Sequence, residues 1–413
     1  MRFSIVVSSR ARSRRPLAPS EISARIGLGT LLLASTLCAC KRPAPDATAT
    51  DKIGAIDAKD AAVDAPSGPR LYVSNEASGD MSVIDIGGKR VLATIPVGKR
   101  PRGVQRSPDG KSVYVALSGL PPAGPPKEAH AEGDAGAAPH ASANAKSAPV
   151  NSASAKHDAE PEDEPKERSD DGIGVVDTVK GALATKLPSG SDPEQFALSK
   201  DGTKLYIANE DASALSIVDI LGKKIDRSIP VGKEPEGVTT SPDGKWVYVT
   251  CEGSNAVDVV DVGTGGVVAK LDVGQRPRSV AFLPDSSRAY VSLELGASVV
   301  VVALPKHEIV TKIAIPGALA RPMGIALSPD GKSAFVTTGH GGTVVVVDTA
   351  TNAVVGSIPV GQRPWGIAIT PNGKTLFTAN GGTDDVSVID VETRTETARI
   401  KVGRKPWGLV IVP

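Results

Sequence analysis

The sequence predicts an all-β fold, a seven-bladed β-propeller with four antiparallel strands in each blade. Three observations support this prediction: a strand-like segment that recurs seven times, turn signals at fixed offsets from it, and a composition suited to short strands. Aromatic residues make up only 3% of the 413 residues, while Gly (43) and Pro (33) are plentiful. The formal net charge of +1 argues against strong non-specific attraction to nucleic acid.

The recurring segment is an aromatic residue followed by small or β-branched residues. Its successive aromatic positions are 42, 92, 42, 42, 45 and 42 residues apart, at Tyr72, Tyr114, Tyr206, Tyr248, Tyr290, Phe335 and Phe377. The long step is one repeat plus about 50 additional residues. Four short strands repeating every ~40–45 residues are typical of propeller blades.

Each repeat supplies strands A to D, as in 366–370, 375–379, 386–390 and 397–402. A Pro-x-Gly or Pro-x-Ser segment opens strand A, and an Asp-Gly turn leads to strand B. Strand C closes on an Asp in six repeats, at Asp85, Asp177, Asp219, Asp261, Asp348 and Asp390. Recurrence once per blade indicates that these carboxylates are turn residues and not catalytic groups.

The chain begins its repeats at strand B and ends at strand A. One blade therefore takes its A strand from the C-terminus, which removes the free edge of the ring. Both termini then leave at an A–B turn, so the D–A and B–C loops form the opposite, outward face.

The segments Gly-Val-Thr-Thr-Ser-Pro-Asp-Gly-Lys-Trp-Val-Tyr-Val-Thr at 237–250 and Pro-Val-Gly-Gln-Arg-Pro-Trp-Gly at 359–366 closely resemble the repeat of the YVTN, surface-layer type β-propeller family. The resemblance covers residues 70–413 apart from the additional residues. The Gly-His and Trp-Asp signatures of WD40 blades are missing. The resemblance implies a complete seven-bladed ring, and this fold alone carries no chemistry.

Residues 1–39 are predicted to be a signal peptide of the lipoprotein type. A basic start precedes an apolar stretch of about a dozen residues, too short for a membrane span, which ends in Leu-Cys-Ala-Cys. This ending resembles a bacterial lipoprotein box with Cys40 as the acylated residue, and Lys41 in place of Asp favours the outer membrane, on its periplasmic or its external side. An ordinary signal peptide with two incidental cysteines is the alternative.

Two segments lack an apolar period and are predicted to be disordered: a tether over 40–69 and an insert over 119–171 that joins strand B to strand C. His130, His140 and His157 lie in the insert, and their spacing matches no metal-ligand motif. We expect no metal and no cofactor. The insert either gates the ring or is a tolerated surface insertion, and the second interpretation is favoured.

The residues between Pro and Gly on the innermost strands are the candidate binding residues at the mouth of the central funnel. Around the ring they are Arg102, Glu194, Glu236, Arg278, Met323, Trp365 and Trp407, and Glu210, Glu252 and His340 follow strand B nearby. Aromatic residues beside Arg are a common recognition chemistry. The alternatives are surface ion pairs worth ~0–1 kcal/mol each and tryptophans that serve only packing.

No catalytic constellation is visible, because only His307 and His340 lie in the repeats, and Cys251 is predicted to be a semi-buried free thiol. We therefore expect a monomeric, lipid-anchored envelope protein that binds an unknown protein or small ligand through its outward face, rather than an enzyme. The first alternative is a lactonase-like or redox-associated propeller enzyme or metal-binding domain. The second is binding of single-stranded nucleic acid, although the charge argues against it.

Overall fold

Seven four-stranded antiparallel sheets are arranged in a ring in the computed structural model, which describes residues 68–119 and 170–413. Strand order within each sheet follows the chain in six blades, as predicted. Blade 1 consists of β28 (Pro406–Val412), β1 (Arg70–Asn75), β2 (Asp80–Asp85) and β3 (Arg90–Pro96), and blade 2 of β4 (Val104–Arg106), β5 (Ser112–Leu117), β6 (Gly172–Asp177) and β7 (Ala182–Leu187). Blade 3 consists of β8 (Pro193–Leu198), β9 (Lys204–Asn209), β10 (Ala214–Asp219) and β11 (Lys224–Pro230), and blade 4 of β12 (Pro235–Thr240), β13 (Trp246–Cys251), β14 (Ala256–Asp261) and β15 (Gly266–Asp272).

Blades 5 to 7 repeat the arrangement. Blade 5 consists of β16 (Pro277–Phe282), β17 (Arg288–Leu293), β18 (Ser298–Ala303) and β19 (Glu308–Ala314). Blade 6 consists of β20 (Ile325–Leu327), β21 (Ser333–Thr337), β22 (Thr343–Asp348) and β23 (Ala353–Pro359). Blade 7 consists of β24 (Pro364–Ile369), β25 (Thr375–Asn380), β26 (Asp385–Asp390) and β27 (Thr395–Lys401). The helical content of the described residues is two short 3₁₀ turns, Glu252–Ser254 and Gly339–Gly341.

Burial increases from the rim of the ring towards the middle strands of each blade. In blade 4, the middle strand β13 is buried at five of its six positions, whereas β11, the outer strand of blade 3, is exposed at all but one position. Apolar clusters lie between neighbouring blades; one joins Tyr206 and Leu215 of blade 3 to Val247 and Val249 of blade 4. The core is therefore a ring of interfaces between sheets.

The C-terminal strand closes blade 1, as predicted. β28 pairs with β1, and Val412 lies opposite Arg70. The predicted turn role of the recurring Asp residues is confirmed as well: Asp85 accepts a hydrogen bond from the Gly87 amide, and Asp219, Asp261, Asp348 and Asp390 accept equivalent ones. These bonds fix the C–D turns.

The insert leaves blade 2 between its second and third strands. β5 and β6 pair directly, with Leu117 opposite Gly172, and the Gly119 amide donates to Asp171 Oδ1 at 2.7 Å. The rest of the predicted insert lies outside the described residues, as do the signal peptide, Cys40 and nearly all of the tether. No helix among the described residues is both long and apolar enough to cross a membrane.

Candidate functional site

The Pro-x-Gly segments bring seven side chains together because the inner strands of adjacent blades approach very closely. A Cβ added to Gly103, Gly237, Gly324, Gly366 or Gly408 would lie closer than 3.0 Å to a carbonyl oxygen of the next blade, that of the residue after the Pro of its inner strand. Glycine is therefore a packing requirement at these five positions.

Hydroxyl groups on strand B fix the same carbonyl groups. Ser74 donates to the Arg102 carbonyl at 2.6 Å, Thr250 to that of Arg278 at 3.0 Å, and Thr337 to that of Trp365 at 2.8 Å. Each bond runs from one blade to the next. The backbone at the candidate residues is thus anchored on both sides, which limits how far their side chains can move.

Arg278 is the centre of one ion cluster. Its Nη1 lies 2.6 Å from Glu236 Oε2 and 2.7 Å from Glu252 Oε2, and its Nε lies 2.7 Å from Glu294 Oε2. Arg276 contacts Glu252 at 3.0 Å. One guanidinium group thus holds carboxylates from three neighbouring Glu residues, a charge-assisted arrangement with directional hydrogen bonds.

Arg102 organises a second cluster beside the first. Its Nε donates to Glu76 Oε1 at 3.1 Å, and its Nη1 contacts Glu194 Oε1. Arg100 lies 3.5 Å from Glu76 and 3.7 Å from Asp192, and Ser118 donates to Asp192. Glu210, the residue directly after β9, lies beside Asp192 and Glu194 at the edge of this cluster.

These clusters are buried, so the interpretation as surface ion pairs is wrong. Glu194 is 0% exposed, Glu236 5% and Arg278 8%. The side chains that follow Pro on the inner strands therefore form a mostly buried layer at this level of the ring. Buried charges that are paired in this way depend on each other strongly, and loss of one partner costs several kcal/mol.

Burial also changes the protonation behaviour of the layer. It raises the pKa of Glu236 to about 7; the positive charge of Arg278 lowers this pKa, and the negative charge of Glu252 raises it further. Burial and the charge of Asp192 raise the pKa of Glu210. Burial alone would lower the pKa of the Arg278 guanidinium, but its three carboxylate partners raise it instead.

Aromatic side chains occupy the other half of the layer. Trp365 and Trp407 stack with ring centroids 5.7 Å apart and an interplanar angle of 29°. The guanidinium groups of Arg278 and Arg363 lie 5.5 Å and 5.9 Å from the centroid of the Trp365 ring. Met323 is buried beside them. Cation–π contacts of this kind orient the Trp365 ring.

A central channel of about 650 Å³ runs along the inner strands. Its walls include Gln105, Gln195, Thr239 and Ser279, and Glu236, Arg278, Trp365 and Trp407 line it at the layer. Pro242, Pro284 and Pro329, which precede the A–B turns, line its opposite end. The volume is within the ~300–1,000 Å³ usual for small-molecule sites.

Nine of the ten candidate residues meet in this layer or at its edge. His340 does not: it is exposed in the 3₁₀ turn of blade 6, and within the described ranges its side chain has no hydrogen bond or ion pair. Asp192, Arg276 and Glu294 are further ion-pair partners in the two clusters and are not among the ten candidates. The sequence does contain a signal for these three residues, because charged residues recur two positions before Pro and directly after strand B.

The remaining candidate nucleophile and base, Cys251 and His307, take part in neither ion cluster. Cys251 is fully buried, deeper than predicted, and burial raises the pKa of its thiol to about 12. His307 lies in the C–D turn of blade 5, with Nδ1 2.7 Å from the Tyr248 hydroxyl. Burial lowers the pKa of His307. Neither residue supports nucleophilic catalysis in the layer.

Similarity to known proteins agrees with this architecture. Residues 233–402 match the model of a family described as lactonase, 7-bladed beta-propeller, and residues 73–234 match one described as choice-of-anchor I domain. No curated protein sequence matches the chain.

Solved propeller structures with a similar fold come from several organisms. Hydrazine synthase of Kuenenia stuttgartiensis shares 20% identity over 82% of this chain and 99% of its own, with a TM-score of 0.60. A proposed 6-phosphogluconolactonase of Bacteroides uniformis shares 17% over 83% and 99%, with a TM-score of 0.62. A functionally unknown protein of Desulfotomaculum acetoxidans shares 14% over 83% and 98%, with a TM-score of 0.63. At these identities the likeness defines the fold: the chain is a seven-bladed β-propeller.

Proposed function

We propose that the protein is a binding scaffold that recognises a flat, anionic ligand, such as an acidic saccharide, on its outward face. The supporting observation is an exposed basic surface beside the stacked tryptophans. Arg363, Arg404 and Lys405 are exposed, and none of the three is in an ion pair with another described residue. Arg363 lies over Trp365, which is half-buried and so offers part of its ring to a ligand.

The buried layer beneath this surface supports such a role. Arg278 is held by three carboxylates and in turn lies over Trp365, so the ring is held in place before a ligand arrives. Preorganisation reduces the entropy lost on binding. The exposed cations Arg363, Arg404 and Lys405 would supply attraction and ion pairs, and the accessible part of the Trp365 ring would supply stacking area.

Anchoring at the envelope is part of the proposal. Acylation of Cys40 would hold the chain at the outer membrane, and the D–A and B–C loops would face away from the anchor. The Cys40→Ala variant should move from the membrane fraction to the soluble fraction and lose incorporation of labelled palmitate. A variant that stays membrane-bound and labelled would contradict this anchor.

The binding proposal is tested by tryptophan fluorescence. The chain has three Trp residues, so Trp246→Phe leaves only Trp365 and Trp407 as reporters. We expect oligogalacturonate to quench their emission saturably, and the triple change of Arg363, Arg404 and Lys405 to Ala to weaken binding at least tenfold.

The matched control replaces three exposed lysines at the opposite end of the ring, Lys111, Lys245 and Lys332, and so changes the net charge equally. If both triple variants weaken binding equally, the loss follows from the change in net charge alone, and the proposed surface is refuted. Quenching by oligo(dT) and not by oligogalacturonate would instead support nucleic-acid binding.

A hydrolytic function in the channel is the second candidate. Glu236 lines the channel with a pKa raised to about 7 by burial, a suitable value for a general base, and the lactonase family model covers this half of the ring. Hydrolysis of a sugar δ-lactone should then rise with pH through about 7 and be lost in Glu236→Gln. Absence of turnover above the rate of spontaneous hydrolysis would eliminate this candidate.

A further inference from the structure

Three carboxylates of blade 3 converge where its inner strand begins. Asp192 and Glu194 flank the first residue of β8, and Glu210 follows β9 directly. One carboxylate oxygen of each residue lies within 4.8 Å of those of the other two. The Glu210 amide also donates to the Asp192 carbonyl at 3.1 Å, so the backbone holds the two loops together.

Glu194 has an unsatisfied carboxylate oxygen inside this group. Its side chain is 0% exposed, Arg102 contacts Oε1, and Oε2 has no hydrogen-bond partner among the described residues. A buried ionised oxygen without a partner is strongly unfavourable, and native proteins satisfy nearly all such groups. The oxygen therefore indicates a missing partner of positive charge.

The local charge balance leads to the same conclusion. The Arg102 cluster comprises two guanidinium groups, Arg100 and Arg102, and four carboxylates, those of Glu76, Asp192, Glu194 and Glu210. Two negative charges are left over. The neighbouring cluster has three carboxylates and two guanidinium groups, so one negative charge is left over, but each of its carboxylates contacts Arg276 or Arg278 directly.

We propose that Asp192, Glu194 and Glu210 bind one Ca²⁺ ion. Oxygen ligands without His or Cys select hard cations, and Ca²⁺ accepts irregular coordination completed by water. Glu210 is half-buried, so water can reach the ion from the outward face. A divalent ion cancels the two excess charges and supplies the partner that Glu194 lacks.

Calcium would also order the ends of the insert. Asp171 accepts hydrogen bonds from the Asp192 amide at 2.9 Å and from the Gly119 amide at 2.7 Å. The ion would therefore stabilise the point where the chain leaves and re-enters blade 2. This role is independent of the basic surface, which lies on blades 7 and 1.

The test is calorimetric titration of the processed, EDTA-treated full chain with CaCl₂. We expect one ion per chain, at least tenfold weaker binding in Glu194→Gln and Glu210→Gln, and unchanged binding in the control Glu234→Gln. Glu234 is exposed and occupies in blade 4 the position of Asp192 in blade 3. Circular dichroism should show the same strand content in all variants.

Thermal melting separates ion binding from simple protonation of the cluster. In EDTA, Glu210→Gln should melt at or above the temperature of the wild type, because a repulsive charge is gone. In 1 mM Ca²⁺ the order should reverse. No calcium-dependent rise in melting temperature, binding that survives both substitutions, or tighter binding of Mg²⁺ than of Ca²⁺ would overturn the proposal.

Discussion

Glu236 should make the stability of the ring fall as the pH rises, and replacing it with Gln should remove that dependence. The carboxyl group is 5% exposed and accepts a hydrogen bond from Arg278 at 2.6 Å. Gln keeps the size and an oxygen acceptor for Arg278 but cannot ionise. The substitution therefore removes the cost of the buried charge while leaving the packing of the layer nearly unchanged.

The expected magnitude follows from the pKa of Glu236. Burial raises it from 4.5 to about 7. Between these pH values the folded protein retains a proton that the unfolded chain has released, so the free energy of unfolding decreases as the pH rises. A change of this size corresponds to about 3 kcal/mol, present in full below pH 4.5 and lost above pH 7.

Urea unfolding at pH 5, 6, 7 and 8, followed by tryptophan fluorescence, measures the effect. The free energy of unfolding of Glu236→Gln relative to the wild type should rise by about 2–3 kcal/mol between pH 5 and pH 8. The exposed Glu234→Gln variant serves as the control and should keep a constant difference from the wild type. Parallel curves for Glu236→Gln and the wild type would refute the assignment of a buried, near-neutral carboxyl group.

Three further outcomes are expected. Arg278→Met should lower the free energy of unfolding by about 3–5 kcal/mol at pH 8, because three carboxylates lose a buried partner, and by less at pH 5, because Glu236, whose pKa burial raises to about 7, is protonated there; equal losses at both pH values would contradict this. Gly237→Ala should cost about 1–3 kcal/mol in urea unfolding, whereas Gly68→Ala, with nothing within 4 Å, should be neutral. Cys251, whose thiol pKa burial raises to about 12, should resist dithionitrobenzoate at pH 8 until urea unfolds the chain, and rapid native labelling would show that the blade opens.

The fold could be predicted from the sequence because each blade is specified locally. The Asp-Gly turn, the Asp that closes strand C and the apolar run between them recur at one spacing, so each hairpin can be recognised without knowing its neighbours. Ring closure was predictable for the same reason: the chain starts with a B strand and ends with an A strand, and β28 pairs with β1.

The chemistry of the site was less predictable because it depends on contacts between blades. The sequence places Arg278 and Glu236 at equivalent positions 42 residues apart, but only the packed ring shows that their side chains meet at 2.6 Å and exclude water. The sequence also does not distinguish His340 from them, although its side chain is exposed and theirs are largely buried. Periodicity identifies which residues share a level of the ring and not which way they point.

The Pro-x-Gly segment links the fold to the site. Glycine lets the next blade approach until a Cβ would collide with its carbonyl oxygen, and this approach brings the preceding side chains within ion-pairing distance. In the two blades where Gln195 and Ser279 replace this glycine, the preceding residues are Glu194 and Arg278. Glu194 is the most buried acid of the two clusters, and Arg278 is the base that contacts three carboxylates. The two blades that depart from the Pro-x-Gly pattern thus supply Glu194 and Arg278, a central residue in each ion cluster. Exceptions to a repeat that serves packing are expected where the repeat has been modified for binding.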